Sequence, residues 1–255
     1  MDPARKKSQD NLSDQVVQYL IDYTRRHRLA CGARIPSEGE TSEALQVSRG
    51  VVREAYRALK TAGILDIGNG RTPRVGRLSN RGFAQFVFHA LHTEQATPAQ
   101  VLDLRCSIEV RAAELAARQR TDADVRALRR EAQTMLDSLE QRQRFTNADI
   151  RFHQILCRAT GNPLFELLSN ALFESLAQTI RAGFDSRATL AERRRVAQNH
   201  LRIADAIARC NPTQTRKLTK LHFDEARDFI LRAPLPRHAA TRNRVSATVK
   251  EAGFR

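Results

Sequence analysis

Residues 34–75 read RIPSEGETSEALQVSRGVVREAYRALKTAGILDIGNGRTPRV, and this stretch decides the fold of the N-terminal part of the chain. After Pro36, Ser37 stands at an N-cap position with Glu40 three residues on, the reciprocal pair of a capping box, so a short helix is expected to about Leu45. Gln46 and Val47 make a turn, and Ser48 caps a third helix, RGVVREAYRALKTAG, stopped at Gly63 by the left-handed conformation that glycine tolerates. ILDI and RTPRVG follow as two β-prone pieces separated by Gly68, Asn69 and Gly70, the turn chemistry of a hairpin. Upstream, Leu12, Val16, Tyr19, Leu20 and Tyr23 recur at helical spacing between Gln9 and about His27, which predicts a first helix with one buried face. Three helices and a hairpin in this order make a winged helix-turn-helix.

Composition agrees with that reading and extends it. The chain has 255 residues, 43 Lys plus Arg against 28 Asp plus Glu, and a net charge of +15, a balance that favours a polyanionic partner. Trp is absent, aromatics are 5%, and helix formers dominate, so the fold class is expected to be mostly α. No apolar run is long enough to cross a bilayer, and MDPARKKSQD lacks the apolar centre of a signal peptide, which predicts a cytoplasmic protein without a membrane partner. Cys31, Cys106, Cys157 and Cys210 are far apart with no CxxC spacing, and are expected to be reduced thiols filling core space.

GRLSNRG, residues 76–82, is polar and glycine-containing, so the first domain is drawn as 1–78. Beyond it, helical segments are expected at roughly 83–93, 98–119, 122–143, 146–159, 163–183, 187–209 and 213–232, an all-helical bundle drawn as a second domain over 79–232. Residues 233–255 carry two prolines, little periodicity and several positive charges, and are expected to be a basic disordered tail. No internal repeat is found.

In a helix-turn-helix the second helix enters the major groove by its first residues, which therefore need hydrogen-bond donors. Ser48, Arg49 and Arg53 fill those positions, with Arg49 and Arg53 one turn apart, while Val52, Ala55, Tyr56 and Leu59 form the buried stripe. Arg57 and Lys60 lie further along, within reach of phosphate; in the wing, Asn69 and Gly70 allow close backbone approach, and Arg71 and Arg74 add charge. A charged helix face is usually only a solvated one. The capped turn and glycine-rich hairpin beside it favour DNA.

The quoted stretch resembles the winged-helix head of the GntR regulators, in which PSE, VSR and VREA followed by a Leu, a Gly and a wing recur in this order. The resemblance implies that Ser48, Arg49 and Arg53 touch an operator, with Asn69, Gly70 and Arg71 contributing from the wing. The chain departs from the pattern at Gly39, where the family usually has Arg or Lys after PSE, at Arg71 and Thr72, where a further Gly is common, and at Gly50 and Val51.

In DIRFHQIL, Asp149 and His153 are four apart and share a helix face, a common start for a metal site if further ligands converge, for which His200 and His222 are candidates. A single helical histidine is more often a surface or satisfied core residue, and so His27, His89, His92 and His238 are read. Cys157 lies one turn beyond His153 and is read as a core thiol. The pattern of Asp149, Phe152, His153 and Leu156, then ATGNPLF, NHLRIADAI and LHFDEARDF, resembles the FCD effector domain of the FadR-type GntR subfamily, so that the whole likeness covers about residues 10–232. It implies that Asp149, His153, His200 and His222 hold a divalent metal, zinc first and nickel or manganese as alternatives. It also implies that Arg105 binds a small organic acid effector beside the metal; the other reading of Arg105 is a salt bridge to Glu109.

The expected function is a non-enzymatic, homodimeric transcription regulator, a repressor by the family's commoner habit, acting on double-stranded operator DNA. Two alternatives stay open: a metal-dependent helical hydrolase, and a DNA-binding regulator whose metal is structural and which senses no effector.

Overall fold

A computed structural model describes residues 3–68, 71–186 and 189–232, with side chains over 12–68, 71–176 and 189–228. Three helices open the chain, α1 Pro3–Arg26, α2 Glu38–Leu45 and α3 Arg49–Thr61, followed by β1 Leu65–Asp66 and β2 Arg74–Val75. Then come α4 Arg81–His92, α5 Pro98–Gln119, α6 Asp122–Leu136, α7 Arg142–Arg158, α8 Pro163–Ser186, α9 Leu190–Ala208 and α10 Pro212–Arg232. The fold class is mostly α, a winged helix-turn-helix followed by an all-helical domain. Among the described residues, no helix is long and apolar enough to cross a membrane.

The head closes around Val16, Leu20, Ile35, Val52, Ala55, Tyr56, Leu59 and Leu65. The capping box is present: the Ser37 hydroxyl accepts from the Glu40 N–H at 3.2 Å, and the Glu40 carboxylate accepts from the Ser37 N–H at 2.6 Å. Tyr56 is buried, and its hydroxyl donates to the Pro36 carbonyl at 2.6 Å and meets Thr41 Oγ1 at 2.8 Å. That pins α3 to the turn before α2, and burial pushes the phenol pKa up to about 12. Gly63 has φ +73° and ends α3, after which a side chain at Gly76 would meet the Gly63 carbonyl oxygen at 2.4 Å. The hairpin pairs Leu65 with Val75 and Asp66 with Arg74. Residues 32–35 join its outer edge through Gly32 N–H to Val75 O at 2.9 Å and Ile35 N–H to Pro73 O at 3.1 Å.

In the second part α5 is central and packs against α7, α8, α9 and α10. Four fully buried alanines, Ala112, Ala113, Ala116 and Ala117, give it the narrow surface that lets several helices approach at once. Phe152, Leu128, Leu156, Ile203 and Ile207 fill the space around it, each apolar side chain of this size contributing about 1.5–3 kcal/mol by burial. The break expected between helices at 122–143 and 146–159 falls earlier, α6 ending at Leu136 and α7 starting at Arg142. The break lets Leu139 turn into a core with Met135, Phe145 and Val196, and the Leu139 carbonyl accepts from Arg193 at 3.2 Å. Tertiary packing overrides the helical periodicity there.

α4 packs against α8. Asn80, at its start, makes no capping bond, because its amide donates to Glu174 on α8 at 2.8 Å. The expected basic tail, 233–255, lies outside the described residues.

Candidate functional site

The first face of the site is the start of α3. Ser48 caps the helix, its hydroxyl accepting from the Val51 N–H at 3.4 Å. Arg49, Arg53, Arg57 and Lys60 are all exposed, opposite the buried Val52, Ala55, Tyr56 and Leu59. Arg53 lies 3.6 Å from Glu38 of α2, and its side chain remains 64% exposed, so the contact leaves the guanidinium accessible. Arg71 is exposed, and its N–H closes a turn onto the Gly68 carbonyl at 3.2 Å. Arg74, expected to face phosphate, spends a guanidinium N–H on the Gly32 carbonyl at 2.7 Å and so braces the base of the wing. Asn69 and Gly70 lie outside the described residues.

The second face is buried, and α5, α7, α8, α9 and α10 all contribute to it. His153 from α7, His200 from α9 and His222 from α10 are all buried and bring one ring nitrogen each to within 4.8 Å of one another. The His200 ring centroid is 4.5 Å from that of His222 and 5.2 Å from that of His153. Asp149, one turn before His153 on α7, places Oδ1 3.0 Å from His200 Nε2 and 3.9 Å from His153 Nε2, at the edge of the histidine cluster. Burial would raise its pKa, but the His200 hydrogen bond and the three imidazoles hold it well below the usual carboxylate range.

These residues suit a divalent cation by their own chemistry. His200 Nδ1 lies 2.9 Å from the Val196 carbonyl oxygen, and His153 Nδ1 lies 2.5 Å from Glu109 Oε2. Oxygen acceptors beside both Nδ1 atoms place the ring proton there when each imidazole is neutral, and both Nε2 atoms are then lone pairs, whereas a second proton on His200 Nε2 makes the bond to Asp149. The two Nε2 atoms are 3.3 Å apart, with the Asp149 carboxylate beside them. In the neutral state three electron-rich atoms face one another, and a cation among them would take the place of the proton that otherwise bridges His200 and Asp149. Imidazole nitrogen with one carboxylate oxygen is a zinc-type donor set, also acceptable to nickel and manganese.

Arg105 on α5 is buried; its Nε donates to Glu109 Oε1 at 2.9 Å, and its guanidinium carbon lies 3.6 Å above the Phe173 ring centroid of α8. The salt bridge to Glu109 expected as the alternative is therefore present, through Nε. Burial raises the pKa of Glu109, yet Arg105 and then His153 outweigh that and hold it at about 2. The 2.5 Å approach of Glu109 Oε2 to His153 Nδ1 is a close polar contact without the alignment of a straight hydrogen bond, and neither atom has a hydrogen-bond partner elsewhere among the described residues.

Sequence reasoning named the histidines and Asp149 but missed the link from Glu109 to His153, the Ser169 hydroxyl that donates to Glu109 Oε1 at 3.0 Å, and the Phe173 ring under Arg105. Only the Arg105–Glu109 pair, one helical turn apart, carried a local signal. Cys157 is fully buried in the apolar core, where desolvation pushes its thiol pKa up, as expected of a core thiol. Cys31 and Cys210 are exposed, and Cys106 is half-buried, contrary to the expectation that all four fill the core.

A capped helix that presents cations beside a short wing, joined to a helical domain with a buried polar centre, defines a DNA-binding transcription regulator with a second, regulatory domain. The chain belongs to the GntR family of bacterial regulatory proteins and carries an FCD domain. Residues 12–75 match the family described as "Bacterial regulatory proteins, gntR family", and residues 100–225 match the FCD domain. The chain is 33% identical over 233 residues to the HTH-type transcriptional repressor NanR of Enterobacter sp. (strain 638), covering 87% of this chain and 84% of that one. It is 32% identical, with the same coverage, to NanR of Cronobacter sakazakii. Among solved structures, Streptococcus agalactiae GntR aligns with a TM-score of 0.61 and 25% identity over 85% of this chain and 99% of that one.

Proposed function

We propose that the chain is a homodimeric repressor whose grip on operator DNA is set by a small organic acid bound beside a divalent metal in the helical domain. The observation that carries this reading is the convergence of His153, His200 and His222 from three helices, with Asp149 at their edge. In this reading residues 1–78 are the DNA-binding head and 79–232 the sensing domain. Repression is supported by the likeness to the NanR repressors.

Ser48, Arg49 and Arg53 read base edges from the exposed start of α3, and Arg57 and Lys60 meet phosphate further along. Asn69, Gly70 and Arg71 complete the contact from the wing. His153, His200 and His222 hold the metal through ring nitrogens, and Asp149 adds a carboxylate oxygen. A bound divalent ion supplies a fixed positive charge that anchors one oxygen of an acid. Arg105 already uses Nε on Glu109, so its Nη1 and Nη2 donors serve the acid's carboxylate. Phe173 and Phe223 wall the guanidinium, with ring centroids at 3.6 and 5.3 Å, and exclude water from that pair. An acid releases DNA only if it binds the off-operator arrangement of the two heads more tightly than the bound one.

The test is elemental analysis of protein purified without added metal or histidine tag, followed by operator titrations across a panel of small carboxylates. About one divalent ion per chain and a carboxylate that weakens operator binding are expected. A protein that takes up no zinc, nickel or manganese and whose operator affinity ignores every acid would overturn the proposal.

A further inference from the structure

Glu109 is fully buried and touches both elements of the proposed site. Its two oxygens are divided between them. Oε1 accepts from Arg105 Nε at 2.9 Å and from Ser169 Oγ at 3.0 Å, while Oε2 faces His153 Nδ1 at 2.5 Å. A guanidinium has only donors and a carboxylate accepts, so the direction of the Arg105 bond is settled. With Oε1 occupied, Oε2 is left to His153 Nδ1: the two atoms meet at 2.5 Å without the alignment of a straight hydrogen bond, and neither has a hydrogen-bond partner elsewhere among the described residues, so the imidazole proton is the donor at hand for Oε2. The ring proton therefore belongs on Nδ1, and Nε2 is left as a lone pair 3.3 Å from His200 Nε2. On the other side, the bond to Nε and the Phe173 ring 3.6 Å beneath fix the plane and the position of the guanidinium.

We propose that Glu109 is a positioning residue that joins the two halves of the effector site: one oxygen locks His153 in the tautomer that offers Nε2 to a divalent ion, and the other holds Arg105 so that its Nη donors remain for a carboxylate. The inference rests on the metal and acid reading above. It adds that the ion and the acid are coupled through a residue that touches neither, because both depend on one carboxylate. Ser169 trims the same oxygen and has the smaller part.

The experiment uses the full chain, stripped of metal, and nitrogen-15 spectra of its imidazoles. In the wild type, His153 is expected as the Nδ1–H tautomer. In Glu109→Gln, the amide N–H groups donate to Nδ1, and the ring is expected to change to Nε2–H, while zinc affinity measured by calorimetry falls about 10–100-fold. Glu109→Asp, which keeps the carboxylate, is expected to restore the Nδ1–H signal and most of the zinc affinity. Circular dichroism on each variant separates loss of the site from loss of the fold. An Nε2–H signal for His153 in the metal-free wild type overturns the proposal whatever the variants do. So does a folded Glu109→Gln protein that keeps both the Nδ1–H tautomer and zinc affinity within about twofold of a wild type that binds zinc. If the wild type binds no zinc, it is the metal reading that fails, and the tautomer spectra still decide whether Glu109 holds His153.

Discussion

The head and the helical domain build their polar sites in opposite ways. On α3, Ser48, Arg49 and Arg53 come from a single turn and a half of helix, stand in solvent and carry no part of the core. Around His153 the polar groups come from five helices, α5, α7, α8, α9 and α10, and almost all are buried. An exposed site on one helix separates function from stability. A buried convergent site ties them together, since each of its charged groups depends on partners from other helices.

The contrast can be broken by mutation, and the largest effect is expected in the buried centre. His200→Ala removes a proposed ligand from α9 and is expected to lower zinc affinity by at least about 100-fold, more than a substitution at a residue that only orients a ligand, and to abolish the rise in Tm expected when zinc binds the wild type. Zinc titrations and thermal melts read both; a variant that binds and is stabilised like wild type contradicts the assignment. Arg49→Ala comes next: a side chain that reads a base, as proposed for Arg49, is worth about 1–3 kcal/mol, so operator affinity is expected to fall about 5–150-fold with the melting temperature unchanged. A matching drop in Tm would break the claim that this face is free of the core.

Tyr56→Phe tests the frame beneath that face. Removing the hydroxyl leaves the Pro36 carbonyl without its donor and is expected to cost about 1–2 kcal/mol in urea unfolding, with operator affinity extrapolated to the folded state unchanged. The smallest effect belongs to Lys60→Ala. A lost phosphate contact weakens binding evenly across operator sequences and lowers the salt slope by about one, which a salt series of binding titrations measures.

Legibility followed the same divide. The capping box of Ser37 and Glu40, the cap at Ser48, the Gly63 stop and the stripe from Val52 to Leu59 are relations within a few residues, and sequence reasoning found each of them. Asp149 and His153 were legible for the same reason, as a pair one turn apart, whereas His200 and His222 stood only as candidates inside expected helices until family resemblance completed the set. The break between α6 and α7 was expected a few residues too late, because 122–143 keeps a helical pattern and only the pocket among Met135, Phe145 and Val196 draws Leu139 inward. Nothing local marks residues 32–35 as partners of the wing, yet they pair with it across about forty residues of chain.

The sequence by itself determined the helices, the caps, the winged head, its exposed cations and the strongly positive charge, because local hydrogen bonding and periodicity are written in neighbouring residues. Tertiary structure alone decided that Glu109 bridges Arg105 to His153, that Phe173 lies under the guanidinium and that Asn80 reaches across to Glu174. The last two contacts join residues 68 and 94 positions apart, and Glu109 and His153 are separated by 44. Such contacts arise from how the helices pack around the small alanine face of α5, and no spacing along the chain encodes them.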